Sequence, residues 1–372
     1  MGDLTSKKLD PELVKTIPVT WFVLPGSHDC ATYKDGLADF SYQCQEKNLE
    51  EQLKAGQRAF DLRLTYTDKK KFIPVHGVAK GTGDDFAQGP KNANDNDLVK
   101  QIMRFAKAHP TEIIVLSIKF DNLDTPEEKT AFANTAFNHL GERLLEAPGK
   151  DDKNPTYAHA VESNRNIIVA TGIPNTATGG DHEMKKYYWK VGGDTSNWLG
   201  DGNEMLWNEP DWTSGELKKV LNSTEKWIEK NENRAAARNK FWFAFVQLTP
   251  ALGQNFMTFL KEGASVRPKD LALGGGIGTH GGFKGSNQEL RDSGTLKKSA
   301  WRKHASCIMY DFCDPDTTGH IVAMNLPGGD DDGPGGKGKG GHHGGGDGAD
   351  DEGGHRGGRG GHRGGGRGRG HD

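Results

Sequence analysis

The stretch Val23-Leu24-Pro25-Gly26-Ser27-His28-Asp29 decides how this chain is read. An apolar run from Val19 to Leu24 stops at a Pro-Gly break and delivers a histidine and a carboxylate side by side. Two later runs repeat the pattern. Ala59-Phe60-Asp61-Leu62-Arg63 sets an acid and an arginine two positions apart, which on a strand puts both on one face. Phe72-Ile73-Pro74-Val75 then ends in His76-Gly77. Histidines, acids and an arginine gathered at strand ends are the side chains that acid–base attack on a phosphate ester requires.

Working outward, β-branched and aromatic runs at 19–24, 58–64, 72–76, 112–120, 166–172, 241–248 and 306–312 read as strands. Amphipathic stretches at 45–55, 96–108, 126–146, 214–237, 252–262 and 286–304 read as helices between them. Asp97 stands as a cap before Leu98, Ile102, Phe105 and Ala106, and His109-Pro110 stops that helix. Such alternation predicts a largely parallel sheet with helical crossovers. About seven or eight strands over roughly 300 residues favour an α/β, TIM-like (β/α) barrel, distorted or incompletely closed. In such barrels chemistry sits where strands end, which is where the three motifs fall.

Composition narrows the function. The formal charge of −3 argues against bulk nucleic-acid binding by the folded part, and no apolar run reaches the length of a membrane span. Met1 to Lys8 has no apolar centre, so no leader is expected in this numbering. A cytoplasmic or peripheral-membrane monomer is the default, and a secreted one if a leader was removed. Cys30, Cys44, Cys307 and Cys313 fit no zinc spacing and read as buried thiols ahead of a disulfide. Residues 174–212, rich in Gly, Asn and aromatics, read as a lid or as a small core of their own. Tyr187, Tyr188, Trp189, Trp198, Trp207 and Trp212 there suit a membrane interface. Gly274 to Gly282 lacks a full dinucleotide fingerprint or a P-loop lysine and reads as a loop.

From Pro327 about half of the residues are Gly, mixed first with acids and then with arginines and histidines. Without large apolar side chains this stretch cannot repay its ordering entropy, so a disordered tail over 327–372 is expected beside a catalytic domain over 1–326. An arginine-glycine tail can contact nucleic acid or anionic lipid through charge and stacking, or merely solubilise the chain.

Cleavage of a phosphodiester near neutral pH needs a base for the nucleophile, an acid for the leaving oxygen and a cation for the developing charge. Histidines suit the proton transfers and arginine the phosphate. Taken with their spacing, Pro25-Gly26-Ser27-His28-Asp29, Phe60-Asp61-Leu62-Arg63 and His76-Gly77 resemble the X domain of phosphatidylinositol-specific phospholipase C, in its bacterial type. The interval of 13 residues from Arg63 to His76 fits, as does His109-Pro110-Thr111-Glu112 leading into Ile113 to Lys119. Met309-Tyr310-Asp311-Phe312 adds one more local match.

The resemblance implies His28 as general base, held in its tautomer by Asp311, and His76 as general acid supported by Asp29. Arg63, with Asp61 beside it, would bind the phosphate, and Lys119 would line the headgroup pocket. The substrate implied is phosphatidylinositol or a related inositol lipid at a membrane surface, cleaved to diacylglycerol and a cyclic inositol phosphate. No cofactor or metal is implied, because Arg63 stands where calcium-dependent members place acids around the ion. The sequence departs from the family after strand 166–170, where Ala170-Thr171-Gly172 offers no basic residue. Asn208 and Glu209 are stand-ins for the acid and tyrosine that close the inositol pocket. Two other readings remain open at this point: a catalytically weak barrel binding anionic lipid or a protein, and a nucleic-acid-associated protein working through its tail.

Overall fold

The computed structural model describes residues 15–34, 43–76, 79–87, 96–123, 125–148, 153–171, 186–189, 243–246, 286–298 and 305–326, with Leu221, Phe241, Lys269 and Trp301 as single positions. The strands are β1 (Leu24–Ser27), β2 (Ala59–Tyr66), β3 (Phe72–His76), β4 (Ala79–Lys80), β5 (Ile114–Phe120), β6 (Ile167–Thr171), β7 (Tyr188–Trp189), β8 (Phe243–Phe245) and β9 (Cys307–Tyr310). The helices are α1 (Leu49–Lys54), α2 (Leu98–Ala108), α3 (Pro126–Leu140), α4 (Tyr157–Glu162), α5 (Ser286–Asp292) and α6 (Pro315–Ala323). Seven strands pair in the order β8-β9-β1-β2-β5-β6-β7, each parallel to its neighbours. β3 runs antiparallel on the end of β2, with β4 beyond it. The result is a curled half-barrel, and among the described residues no ladder joins β7 to β8.

Local signals set the helices. Asn48 with Glu51, and Thr125 with Glu128, form capping boxes that satisfy the first free N–H groups of α1 and α3. Asp314 caps α6 by accepting from the Thr317 N–H, with Pro315 at its first turn. On α2, Leu98, Val99, Ile102, Phe105 and Ala106 form one buried stripe.

The two faces of the sheet bury different sets of residues, as the period of two requires. Phe60, Leu62, Leu64, Ile114, Leu116 and Ile118 pack outward on α1, α2 and α3. Val23, Ala244, Ile308 and Tyr310 pack outward with Leu290 of α5 and Ile321 of α6. Leu24, Ala59, Val115, Ile168, Phe243, Cys307 and Met309 fill the inner face. That inner alternation continues towards the strand ends as His28, Asp61 and Arg63, Ser117 and Lys119, Phe245, and Asp311. The interior is apolar where strands begin and charged where they end.

Several boundaries differ from the sequence reading. The first strand was expected at 19–24, but Val19–Trp21 is a 3₁₀ turn and the strand runs through the Pro-Gly break. Pro25 needs no N–H there: its carbonyl accepts from the Arg58 N–H, while the N–H groups of Leu24 and His28 bond to Ser306 and Tyr310. A Cβ at Gly26 would lie 2.2 Å from the Met309 sulfur, so that buried side chain would have to move to admit one. The helix expected at 286–304 stops at Asp292, and Gly294, with φ +74°, turns the chain into a short 3₁₀ segment. Helices α4 and α6 were not anticipated, because each is short and offers only one apolar turn.

Tyr187 and Trp189 belong to the core rather than to a membrane-facing surface. They are 3% and 2% exposed, and the Trp189 indole donates to the Leu145 carbonyl. Trp198, Trp207 and Trp212, the helix expected at 252–262, the loop 274–282 and the tail 327–372 lie outside the described residues, as does the helix expected at 214–237 apart from Leu221, which is helical and buried. All four cysteines are free, and Cys30, Cys44 and Cys307 are buried. No described helix is long and apolar enough to cross a membrane.

Gly26→Ala is expected to lower stability by about 1–3 kcal/mol through overpacking. Met309→Ala in the same chain should relieve part of that cost, so urea unfolding of the double variant should show less loss than the two singles summed. Simple additivity would contradict the contact.

Candidate active site

β1 and β9 lie side by side and parallel, so their ends deliver His28 and Asp311 to the same edge. His28 Nδ1 lies 2.8 Å from Asp311 Oδ1, with both residues buried. A carboxylate at Nδ1 favours the proton there and leaves Nε2 as the basic nitrogen, turned towards Arg63 and Asp29. Both strands leave the sheet through left-handed residues, Asp29 at φ +39° and Phe312 at φ +46°. Neither is glycine, so each turn is held by its surroundings. Thr32 Oγ1 donates to the Asp29 carbonyl, and the Phe312 N–H donates to the Cys44 carbonyl.

β2 supplies the cation. Arg63 Nε lies 2.7 Å from Asp29 Oδ1, and its NH2 group lies 2.9 Å from His28 Nε2. The same guanidinium donates twice to Asp61 Oδ2, at 3.2 and 3.1 Å. β3 brings His76, whose Nε2 is 3.3 Å from Asp29 Oδ2. That oxygen is also 3.4 Å from His28 Nε2. The sequence assigned Asp29 to His76 alone, whereas the carboxylate sits between both imidazoles and the guanidinium. Its contacts are close in charge but poorly aligned as hydrogen bonds, so attraction rather than directional bonding holds it.

Exposure separates the roles. The Asp29 side chain is fully buried, while Arg63 and His76 keep 20% and 15% of theirs accessible. Arg63 and His76 are thus the accessible members of the cluster, with the acids lying behind them. Burial pushes the Asp29 carboxyl up, but Arg63, His76 and His28 outweigh it and hold it below the ordinary range. For His28, burial pulls the imidazole down while Asp29 and Asp311 outweigh it, leaving it raised above 6.5. Arg63 remains a cation, since Asp29 and Asp61 overcome its burial.

Lys119 pairs with Arg63 in register across β5 and β2, so the two cations share the inner face. Its ammonium lies 5.6 Å above the Phe245 ring, and burial pulls it down to about 8. Phe245 also meets the His28 ring edge-on at 5.8 Å. Asn208 and Glu209 lie outside the described residues. His28, Asp29, Asp61, Arg63, His76, Lys119 and Asp311 thus come together on one edge. Among the described residues one group of side chains has metal-ligand spacing: His28, Asp29 and Cys44. Arg63 already contacts two of its three ligand groups, so a metal ion there would have to displace a buried-side guanidinium from its carboxylate.

Three supporting residues escaped the sequence reading. Gln45 Nε2 donates to the carbonyls of His28 and Tyr310, and its Oε1 accepts from the Cys313 N–H, which ties the two strand exits together. Asn287, from α5, donates to the carbonyls of Asp311 and Phe312. Cys44 approaches His76 Nδ1 at 3.7 Å. A glutamine or asparagine in a polar stretch carries no local signal of such a role; only its buried position reveals it.

No established family profile matches the sequence. The fold is similar to solved structures of phosphatidylinositol-specific phospholipase C. One, from Listeria monocytogenes, aligns with TM-score 0.51 at 15% identity over 83% of this chain and 95% of that one. A pentafluoro-Phe form of the enzyme from Staphylococcus aureus aligns with TM-score 0.54 at 18% identity, over 86% of this chain and 95% of that one. At such identities the likeness shows the fold, an α/β half-barrel of the bacterial phospholipase C type.

Proposed function

We propose that this chain is a metal-independent phosphodiesterase that cleaves phosphatidylinositol, or a related inositol lipid, at a membrane surface. One observation carries the reading: the Arg63 guanidinium contacts His28, Asp29 and Asp61 at once, with His76 on the other side of Asp29. A base, an acid and a phosphate-binding cation are thereby within one substrate's reach of each other. The fold likeness to enzymes of that name supports the same substrate class.

In this reading His28 Nε2 takes the proton of the inositol 2-hydroxyl while Asp311 holds Nδ1–H. The freed oxygen attacks phosphorus, and the bond from phosphorus to the glycerol oxygen breaks. His76, steadied by Asp29, gives its proton to that leaving oxygen, releasing diacylglycerol and a cyclic phosphodiester. Arg63 turns its fork from His28 to the phosphoryl oxygens, where charge builds up in the transition state. Lys119 faces the headgroup, and Asn208 and Glu209 are assigned to its far side. With roles exchanged, the same histidines would hydrolyse the cyclic product. The glycine-rich stretch 327–372 carries none of these residues and is assigned a separate, accessory role.

Turnover of phosphatidylinositol vesicles tests this. His28→Ala and His76→Ala should each lose roughly a hundred- to ten-thousand-fold in kcat, and EDTA should leave the parent rate unchanged. Near-normal rates in either variant, or dependence on calcium, would contradict it. The base must be neutral to act, and its pKa lies above 6.5, so kcat/KM should fall as pH drops through that value. Asp311→Ala removes a charge and a hydrogen bond that favour the imidazolium, so this acidic limb should move to lower pH while kcat falls. Deleting 327–372 should leave the rate on vesicles unchanged; a large loss would assign the tail to the catalytic cycle.

A further inference from the structure

Phe245 reaches across the interior of the half-barrel. It stands on β8, in register with Met309 of β9, and is 5% exposed. β9, β1 and β2 separate β8 from β5 along the sheet. The curl of the sheet nevertheless brings the Phe245 ring under Lys119 of β5, whose Nζ lies 5.6 Å from the ring centroid. At that distance the negative face of an aromatic ring attracts an ammonium. The same ring meets the His28 imidazole edge-on, with centroids 5.8 Å apart and the planes at 90°. One uncharged side chain thus touches both the residue assigned as base and the one assigned to the headgroup.

The charge on Lys119 is finely balanced. Arg63 stands directly opposite it in the ladder, and like charges placed so repel each other. Burial and Arg63 favour the neutral amine, whereas Asp61 of β2, Asp29 beyond β1 and Asp121 beyond β5 favour the ammonium. The balance leaves Lys119 pulled down to about 8, so a contact of modest strength changes how many molecules carry the charge near that pH. Another carboxylate would also strengthen the ammonium, but it would repel a phosphate ester. A phenyl face attracts the cation without bringing a negative charge of its own. We propose that Phe245 is a positioning residue, its π face holding the Lys119 ammonium charged and in place on the headgroup side of the site. This deepens the phosphodiesterase reading and rests on it for what Lys119 binds.

Graded fluorination of the ring tests the assignment, because mono-, di- and trifluorophenylalanine in place of Phe245 keep nearly the same shape while draining electron density from the face. Carbon NMR of the lysine side chains follows the Lys119 titration in full-length protein without ligand. Its midpoint should fall stepwise along the series, by about 0.3 to 0.7 pH unit in all, which is about two- to fivefold in the protonation equilibrium. On phosphatidylinositol vesicles near pH 8, KM should rise along the same series by up to about threefold. The rise should be smaller at neutral pH, and kcat should change less than KM. A midpoint that stays put, or climbs with added fluorine, would overturn the proposal whatever the activity. So would a stepwise fall of the midpoint with KM unchanged, since the ammonium would then do nothing for the substrate. If the midpoint falls as expected but the unmodified protein leaves vesicles uncleaved, the contact between ring and ammonium stands and the phosphodiesterase reading falls.

Discussion

The buried carboxylate of Asp29 is the constraint from which the rest of the site follows. A lone ionised acid inside a protein is costly unless a cation accompanies it. Here Arg63 supplies that cation at 2.7 Å, and the two imidazoles share the remaining field. Removing Arg63 would leave two buried acids, Asp29 and Asp61, without their common partner. The arginine thus serves the fold before it serves any ligand, and its exposed fraction is what makes it available to one.

The sheet produces this arrangement by parallel register alone. β1 lies between β9 and β2, so the ends of three adjacent strands open at one edge with inner-facing residues in line. The same alternation that buries Leu24, Ala59 and Met309 places His28, Asp61, Arg63 and Asp311 above them. Left-handed turns at Asp29 and Phe312 swing the chain away immediately after the functional residues. Gln45, Asn287 and Cys44 then bond to the backbone of those turns, which lets strained geometry persist.

The face shared by Asp61 and Arg63 was legible in the sequence, since a period of two needs no knowledge of the partner strand. So was the alternation of strands and helices that makes the half-barrel. The Pro25-Gly26 break misled at the first strand, because a proline is tolerated in a ladder only when its missing N–H has no duty, and that depends on Arg58 and Ile308. The sharing of Asp29 between two histidines was hidden for a related reason. The resemblance gave Asp29 to His76 alone, and the distances that divide the carboxylate between two imidazoles are fixed by β2 and β3. For Tyr187 and Trp189 the sequence left a lid and a small core both open, and a two-residue strand beside β6 decides for burial. Residues that support a site from a loop show no periodicity, so Gln45, Asn287 and Cys44 emerge only from their long-range contacts.

In the proposed reaction a histidine pair and an arginine, without metal, drive attack by a neighbouring hydroxyl on a phosphodiester. Phosphorus NMR of the products released from phosphatidylinositol vesicles in the presence of EDTA addresses it most directly. A five-membered cyclic inositol phosphate should be the first product, followed by slow appearance of the open monoester. An acyclic phosphate formed from the outset, or no phosphorus product until a divalent cation is added, would contradict it.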